Sequence, residues 1–428
     1  MYADRGADAH LTAWRTVPDD LRAHPRADGA PTLGAPAHDA RTRGDGLLRA
    51  RFDVRELAGA VGDVGVLVPI AVAMVVVNGL SATAALLPAG ILYVVAGWYY
   101  RVPVPVQPLK AFGAIAIAAQ LGPDEIAAGA LLMGAVFLLL GGTGLLDRAA
   151  RVFPLPLVRA VQLSVGLLFL KVAVGLVTAP PTTFTDHTRP VAYLVGGALL
   201  VAVLAGLLRR YAVSLVLVAV GVVVVLLTGP APGGVALGPA PVVLPDLSWS
   251  VVAVAAVTLT LPQVPLTFAN SCVGAAEAAR GYYGTAARRV TPNRLAVSLG
   301  LANLGVGAVS GMPVCHGAGG FTAHRAFGAR TGGASIAMGA VLIGLALGVG
   351  AGLGPALQAF PLPVLAGLLT VAGLLHITLL RDLRRPLDWA FAVVVGVLGV
   401  LLNLAVALVL GLVAWWLVAR LTSRRRAA

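Results

Sequence analysis

Two short stretches, Val102–Phe112 (VPVPVQPLKAF) and Gly311–Phe321 (GMPVCHGAGGF), decide how this chain folds. Each sets a Pro-Val pair and a polar residue in strongly apolar surroundings, then opens a short predicted helix. Proline removes a backbone donor and glycine weakens a helix, so neither stretch runs as regular helix. Irregular backbone at membrane depth is tolerated only where it is buried in protein or lines a cavity. The expectation is two broken helices facing one another, with an anion between their N-termini.

The flanking sequence is that of a membrane protein. Of 428 residues, 58% are hydrophobic and 11% charged, against about 25% charged in soluble domains; the mean hydropathy is +0.90. Apolar runs of roughly 18 or more residues recur from Leu57 to Arg420, as transmembrane helices require. A soluble enzyme of this composition would have nothing to cover its surface. The net charge of +13 and pI near 10.8 do not imply nucleic acid, because the basic residues form short clusters between apolar segments, as cytoplasmic loop anchors do. Cys272 and Cys315 both lie in apolar context and supply neither a disulfide framework nor a CxxC metal site. Residues 1–50 mix charges of both signs with prolines and histidines. They are predicted to be a disordered cytoplasmic tail, or an overlong start, and not a signal peptide.

The predicted segments of the first half are Leu57–Val77, Ala82–Tyr99, the short Pro108–Leu121, Ile126–Leu146, Leu157–Val177, Val191–Leu208 and Ala212–Thr228. A Pro/Gly-rich linker at 229–249 follows. The second half offers Val251–Val273, Leu295–Ser310, the short His316–Phe327, Ser335–Leu353, Pro363–Leu380, Trp389–Leu402 and Leu404–Ala419. The fold class is therefore all-α and polytopic, with about fourteen transmembrane segments. Residues 51–228 and 250–421 form two repeats of seven, segments three and ten are broken half-helices, and 422–428 is a basic cytoplasmic tail. With both termini cytoplasmic, the inner loops hold Arg101, Arg148, Arg151, Arg209, Arg210, Arg280, Arg288, Arg289, Arg294, Arg325, Arg330, Arg381, Arg384 and Arg385, and the outer loops only Arg189. That asymmetry sets the orientation.

The repeat is written in three matches. FPLP recurs at Phe153–Pro156 and Phe360–Pro363 (360 − 153 = 207), MGAV at Met133–Val136 and Met338–Val341 (offset 205), and Pro105-Val106 matches Pro313-Val314 (offset 208). An odd number of spans per copy makes the second copy enter from the opposite side, the inverted-repeat architecture of secondary transporters that bind near the midplane.

Both half-helices are expected to aim their N-termini at one central point, where free N–H groups and the helix dipole favour anions. Gly317, Gly319 and Gly320 let a ligand approach the backbone. Lys110, one of two lysines, is a functional candidate because a charge buried in the bilayer is costly; its alternative is snorkelling or an ion pair with Asp63. Lys171 is read as snorkelling. Glu56 and Asp63 share one helical face, and Asp63 either pairs structurally or carries a coupled proton. Gln263 and Asn270 bring hydrogen-bonding groups to mid-membrane, for substrate contact or interhelical contact. Cys315-His316 lacks a third ligand or orienting acid, so no metal, cofactor or enzyme chemistry is expected; His316 is instead an anion donor, a proton-sensitive group, or packing polarity.

ELAGAVGDVGVLVP (Glu56–Pro69), VPVPVQPLKA (Val102–Ala111), QVPLTFANS (Gln263–Ser271) and MPVCHGAGG (Met312–Gly320) together resemble the MOT1-type molybdate transporters, a family related to the sulfate permeases. The resemblance covers nearly all of Arg55–Arg420. It implies the seven-plus-seven inverted-repeat fold shared with uracil permease, a core domain (segments one to four and eight to eleven) moving against a gate domain, and uptake of molybdate. It also implies that Gln107, Lys110, Asn270 and His316 surround the ion, with Gln263, Cys315, Gly317 and Gly319 in the same motifs. Sulfate permeases typically add a cytoplasmic STAS domain, which is not expected here because the chain ends at Ala428. Nucleobase permeases show a carboxylate in mid segment eight where this chain has Asn270 and Ser271. Sulfate transport, proton symport, a passive anion channel and a homodimer remain open at this stage.

Overall fold

The computed structural model describes residues 48–146, 152–185, 210–228 and 236–427, with 190, 193 and 197 as isolated positions. The predicted tail up to residue 47, Arg148, Arg151, Arg189, Arg209 and almost all of the predicted span Val191–Leu208 lie outside the described residues.

Helix starts follow capping chemistry. α1 (Val54–Val76) is capped by Asp53, which accepts from the Arg55 and Glu56 N–H groups, and α2 (Ala82–Tyr100) by Ser81. The strand β1 (Gln107–Pro108) leads into the half-helix α3 (Lys110–Ala118), followed by α4 (Pro123–Thr143) and α5 (Leu155–Thr178). α6 (Arg210–Thr228) closes the first copy. The second copy repeats the order. It runs through α7 (Trp249–Ala287), α8 (Pro292–Ala308), strand β2 (Val314–Cys315), half-helix α9 (Ala318–Phe327) and α10 (Gly333–Gly348). It then continues with α11 (Gly350–Gln358), α12 (Leu362–Asp382), α13 (Pro386–Leu401) and α14 (Leu404–Ala427).

The structure alters several expected boundaries. Predicted segment eight is longer than Val251–Val273, because two π-helical stretches keep α7 continuous for 39 residues. Segment eleven is not one span over Ser335–Leu353: the chain turns by 91° between α10 and α11, at a glycine pair where helix is weakest. Pro108 is not in the first turn of a helix; it sits in β1, and α3 begins at Lys110. Six described helices are long and apolar enough to cross a membrane, seven with the bent pair. Fourteen is reached only with the shorter helices and with Val191–Leu208.

All three repeated motifs have structural counterparts. FPLP starts α5 and α12, with Pro154 and Pro361 as N-caps and a second proline in the first turn, where no N–H is required. The MGAV glycines are crossing points. A Cβ on Gly339 would press on Gly90 O and Val94 where α10 crosses α2, and one on Gly134 would lie 3.0 Å from Gly300 O where α4 crosses α8. These are equivalent contacts: Gly90 and Gly300 are 210 apart, Gly134 and Gly339 205 apart. α5 and α12 cross at Gly166 and Gly373, also equivalent (373 − 166 = 207), where each added Cβ would lie 2.7 Å from the other's carbonyl oxygen. Pro-Val leads to the ladder, in which β1 and β2 run antiparallel with Gln107 opposite Cys315, 208 residues on. Equivalent residues meeting head to tail define a two-fold relation between inverted copies. Small residues at such crossings let helix backbones approach closely, as membrane packing requires.

Gly134→Val and Gly339→Val should each cost about 1–3 kcal/mol by overpacking. Gly142→Ala, on the same helix α4 with open space around it, should be neutral or stabilising by a few tenths of a kcal/mol. Thermal unfolding in detergent checks all three; a Gly134→Val protein as stable as the parent would refute the crossing.

Candidate functional site

Two extended strands inside a bundle expose backbone groups that must find partners. Leu109 N–H donates to Pro313 O at 3.0 Å, beside the ladder. Asn303 on α8 clamps the outer edge of β2: its Oδ1 accepts from Val314 N and its Nδ2 donates to Val314 O, both at 2.9 Å. Ser335 Oγ donates to Val104 O at 2.8 Å. His316, wholly buried, donates from Nδ1 to Pro105 O at 2.7 Å, and its Nε2 lies 3.0 Å from Ser298 Oγ. Both ring nitrogens of His316 are therefore engaged by protein, and it holds the first copy's extended stretch against α8.

Gln263 is likewise engaged by protein. Its Oε1 accepts from Phe112 N at 2.8 Å and its Nε2 donates to Thr267 Oγ1, so it caps the first turn of α3 from across the bundle. The Cys315 thiol points to Pro108 O, 3.5 Å away. Asn270 is half-buried in the second π stretch of α7.

The half-helices nevertheless begin side by side. Among the described residues, no hydrogen-bond partner takes the N–H groups of Lys110, Ala111, Ala318 or Gly319, the free donors that every helix start carries. Lys110 is buried and donates from Nζ to Gln107 Oε1 at 2.7 Å; no carboxylate lies within ion-pair distance of it among the described residues. The ion pair with Asp63 that stood as one alternative for Lys110 is not formed: the Gln107 amide stands between them, its Nε2 donating to Asp63 Oδ1 at 2.5 Å. Gly317 and Gly320 make room for that amide: a Cβ on Gly317 would lie 3.0 Å from Lys110 Nζ, and one on Gly320 2.6 Å from Asp63 Oδ1 and 2.8 Å from Gln107 Nε2. Gly319 faces open space.

Asp63 is wholly buried and meets three polar side chains. Besides Gln107, Tyr93 Oη donates to Oδ2 at 2.6 Å, and His324 Nε2 lies 2.9 Å from the same oxygen. His324 Nδ1 donates to Gly59 O at 2.7 Å. The contact arises because α1 breaks into a 3-10 turn at Val61–Asp63 and its glycine face lies on α9, a Cβ on Gly62 falling 2.9 Å from His324 N. Glu56, one end of α1, accepts from Arg330 and Thr331 N–H groups at 3.0 and 2.9 Å and closes the loop after α9.

Sequence reasoning missed Tyr93, Asn303 and His324. The usable signal for His324 was a histidine inside an apolar half-helix, two helical turns past His316; for Asn303 it was an amide in an apolar span. His376 on α12 was also missed, a buried histidine within electrostatic reach of Lys110. An apolar groove of about 690 Å³ lies elsewhere, on the flank between α2 and α8, lined by Leu87, Ile91, Val95, Tyr99, Val297 and Leu301.

Residues 55–169 and 255–375 match the family described as "Molybdate transporter of MFS superfamily". The chain is 28% identical to molybdate transporter 2 of Arabidopsis thaliana over 390 residues, 80% of this chain and 83% of that protein. It is 29% identical to molybdate transporter 1 of Chlamydomonas reinhardtii, covering 81% and 88%. In structure it resembles the transmembrane domain of the cyanobacterial bicarbonate transporter BicA (TM-score 0.57, 18% identity, 84% of this chain and 95% of that one). It also resembles the murine solute carrier 26 family member A9 anion transporter in its inward-facing state (TM-score 0.61, 14% identity, 99% and 73%). These two likenesses establish the fold.

Gly320→Ala should break the Asp63–Gln107 bond and destabilise the protein by about 1–3 kcal/mol, whereas Gly319→Ala should fold and melt like the parent. Unfolding curves of the two variants check this; equal stability would refute the packing around the amide.

Proposed function

The chain belongs to the molybdate transporter family whose model it matches, and from that premise we propose that it imports molybdate across the cytoplasmic membrane by alternating access. It is a multi-pass membrane protein. The observation that carries the substrate class is Lys110: a buried cation with no carboxylate partner among the described residues, placed at the first residue of one half-helix beside the start of another. A buried charge without compensation is expensive, and a compact dianion seated on Lys110 and the free N–H groups of α3 and α9 would compensate it. Gly319 offers open backbone there, and Asn270 is a further ligand candidate from α7.

Movement is proposed to follow the two-fold arrangement. α3 packs against α5, which supports a site between a core of α1–α4 and α7–α11 and a gate built from α5, α6 and α12–α14. Rocking one unit against the other would expose the half-helix ends to one side and then the other. The arginine bias supports cytoplasmic termini.

In proteoliposomes, labelled molybdate uptake should saturate and persist in excess sulfate. Lys110→Ala should weaken oxyanion binding by about 100-fold, on the order of 2.7 kcal/mol, while the unfolding curve stays in place. Absence of molybdate binding would sink the proposal, flux that never saturates would mean a channel, and unchanged affinity would make Lys110 structural.

A further inference from the structure

We propose that the Asp63–His324 pair is a proton-binding site that sets how much positive charge Lys110 offers to the anion, coupling anion binding to proton uptake. This rests on the anion-transport function proposed above and goes beyond it by assigning the coupled ion and the residues that hold it.

The geometry requires a proton in this contact. His324 Nδ1 faces the Gly59 carbonyl at 2.7 Å, and a carbonyl only accepts, so Nδ1 carries hydrogen. Nε2 faces Asp63 Oδ2 at 2.9 Å, and a hydrogen bond there needs a second hydrogen, on Nε2 or on the carboxyl. With that proton present, the pair is neutral overall. Without it, a ring lone pair confronts a carboxylate in a site with no solvent exposure, and one negative charge stands uncompensated there.

That charge is wired to the anion site. Gln107 donates to Asp63 Oδ1 and accepts from Lys110 Nζ, so one amide spans the two charges, in the space that Gly317 and Gly320 leave for it. While the pair holds its proton, Asp63 is balanced by His324 and the charge of Lys110 is free for a dianion. When the Nε2–H bond breaks, its electrons stay on the ring, the proton passes to water as the site opens, and Asp63 draws on Lys110 instead. By linkage, the anion favours the protonated pair as strongly as the proton favours anion binding. The other titratable groups around the pair are Tyr93 from α2, Lys110 from α3, Cys315 and His316 at β2, and Glu56 from the end of α1. Tyr93 donates to Asp63, Glu56 is held by two backbone N–H groups, and both His316 nitrogens are taken, which leaves the Asp63–His324 contact as the one that needs a shared proton.

The test uses the purified full chain with molybdate between about pH 6 and 9. Above the pH at which the pair deprotonates, affinity should fall about tenfold per pH unit, the slope for one linked proton. Binding heats in buffers of different ionisation enthalpy should then show about one proton taken up per anion. In Asp63→Asn, and in His324→Gln, which keeps a donor toward Asp63, slope and proton uptake should vanish. A wild-type affinity that is flat with pH, or variants that keep the slope, overturn the proposal and leave anion transport standing. Absence of binding to molybdate at any pH overturns the anion reading instead. In that case infrared titration of the anion-free protein still decides the pair: one carboxylate–imidazole proton should titrate in the wild type and be missing in Asp63→Asn, and its absence from the wild type refutes the site. The same wild-type titration decides the matter if the variants do not fold.

Discussion

Extended backbone cannot stand alone in a bilayer, and the structure depends on how this chain meets that constraint. With no water to satisfy them, the N–H and C=O groups of the two Pro-Val stretches must pair inside the protein. They do so with each other in the β1–β2 ladder, and with Asn303, Ser335 and His316 along the flanks. Once the ladder forms, both half-helices must start beside it. Their free N–H groups then share one place, and the residues just before and after each helix start become neighbours across copies.

Repetition makes this arrangement cheap to specify. One set of close crossings, made by equivalent glycines, is used twice, in α2 with α10 and in α8 with α4. The α5–α12 crossing and the ladder lie where equivalent residues meet themselves. The copies differ where chemistry is needed. The first brings Asp63, Gln107 and Lys110; the second brings His324 and the glycines that admit the Gln107 amide. An identical pair of copies would place like groups opposite one another, whereas here a cation, an amide, a carboxylate and an imidazole form a chain of hydrogen bonds.

Much of the fold was legible in the sequence. Apolar length marked most of the helices, and FPLP, MGAV and Pro-Val marked the repeat because each sits at a position geometry makes special: a helix start, a crossing, a strand. Lys110 and Gln107 were legible as rare polar groups in the broken stretch. Direction of side chains was not. His316 and Gln263 carry the right chemistry for a ligand, yet each bonds one backbone group and one side-chain hydroxyl, because an extended strand and a helix start lay within reach. The 91° turn after α10 was hidden too, since composition is equally apolar on both sides of it.

Sequence alone determined that this is a polytopic membrane protein built from two inverted copies with broken third helices, because hydrophobic length, loop charge and the repeat offsets are properties of the chain itself. Only the tertiary structure decided which polar groups meet. Asp63 and His324 are 261 residues apart in sequence, and nothing local to either predicts a 2.9 Å contact. It exists because glycines on α1 let α9 lie directly on its backbone. The same folding placed Gln107 between Asp63 and Lys110, so that a carboxylate and a lysine are held apart and connected by one amide.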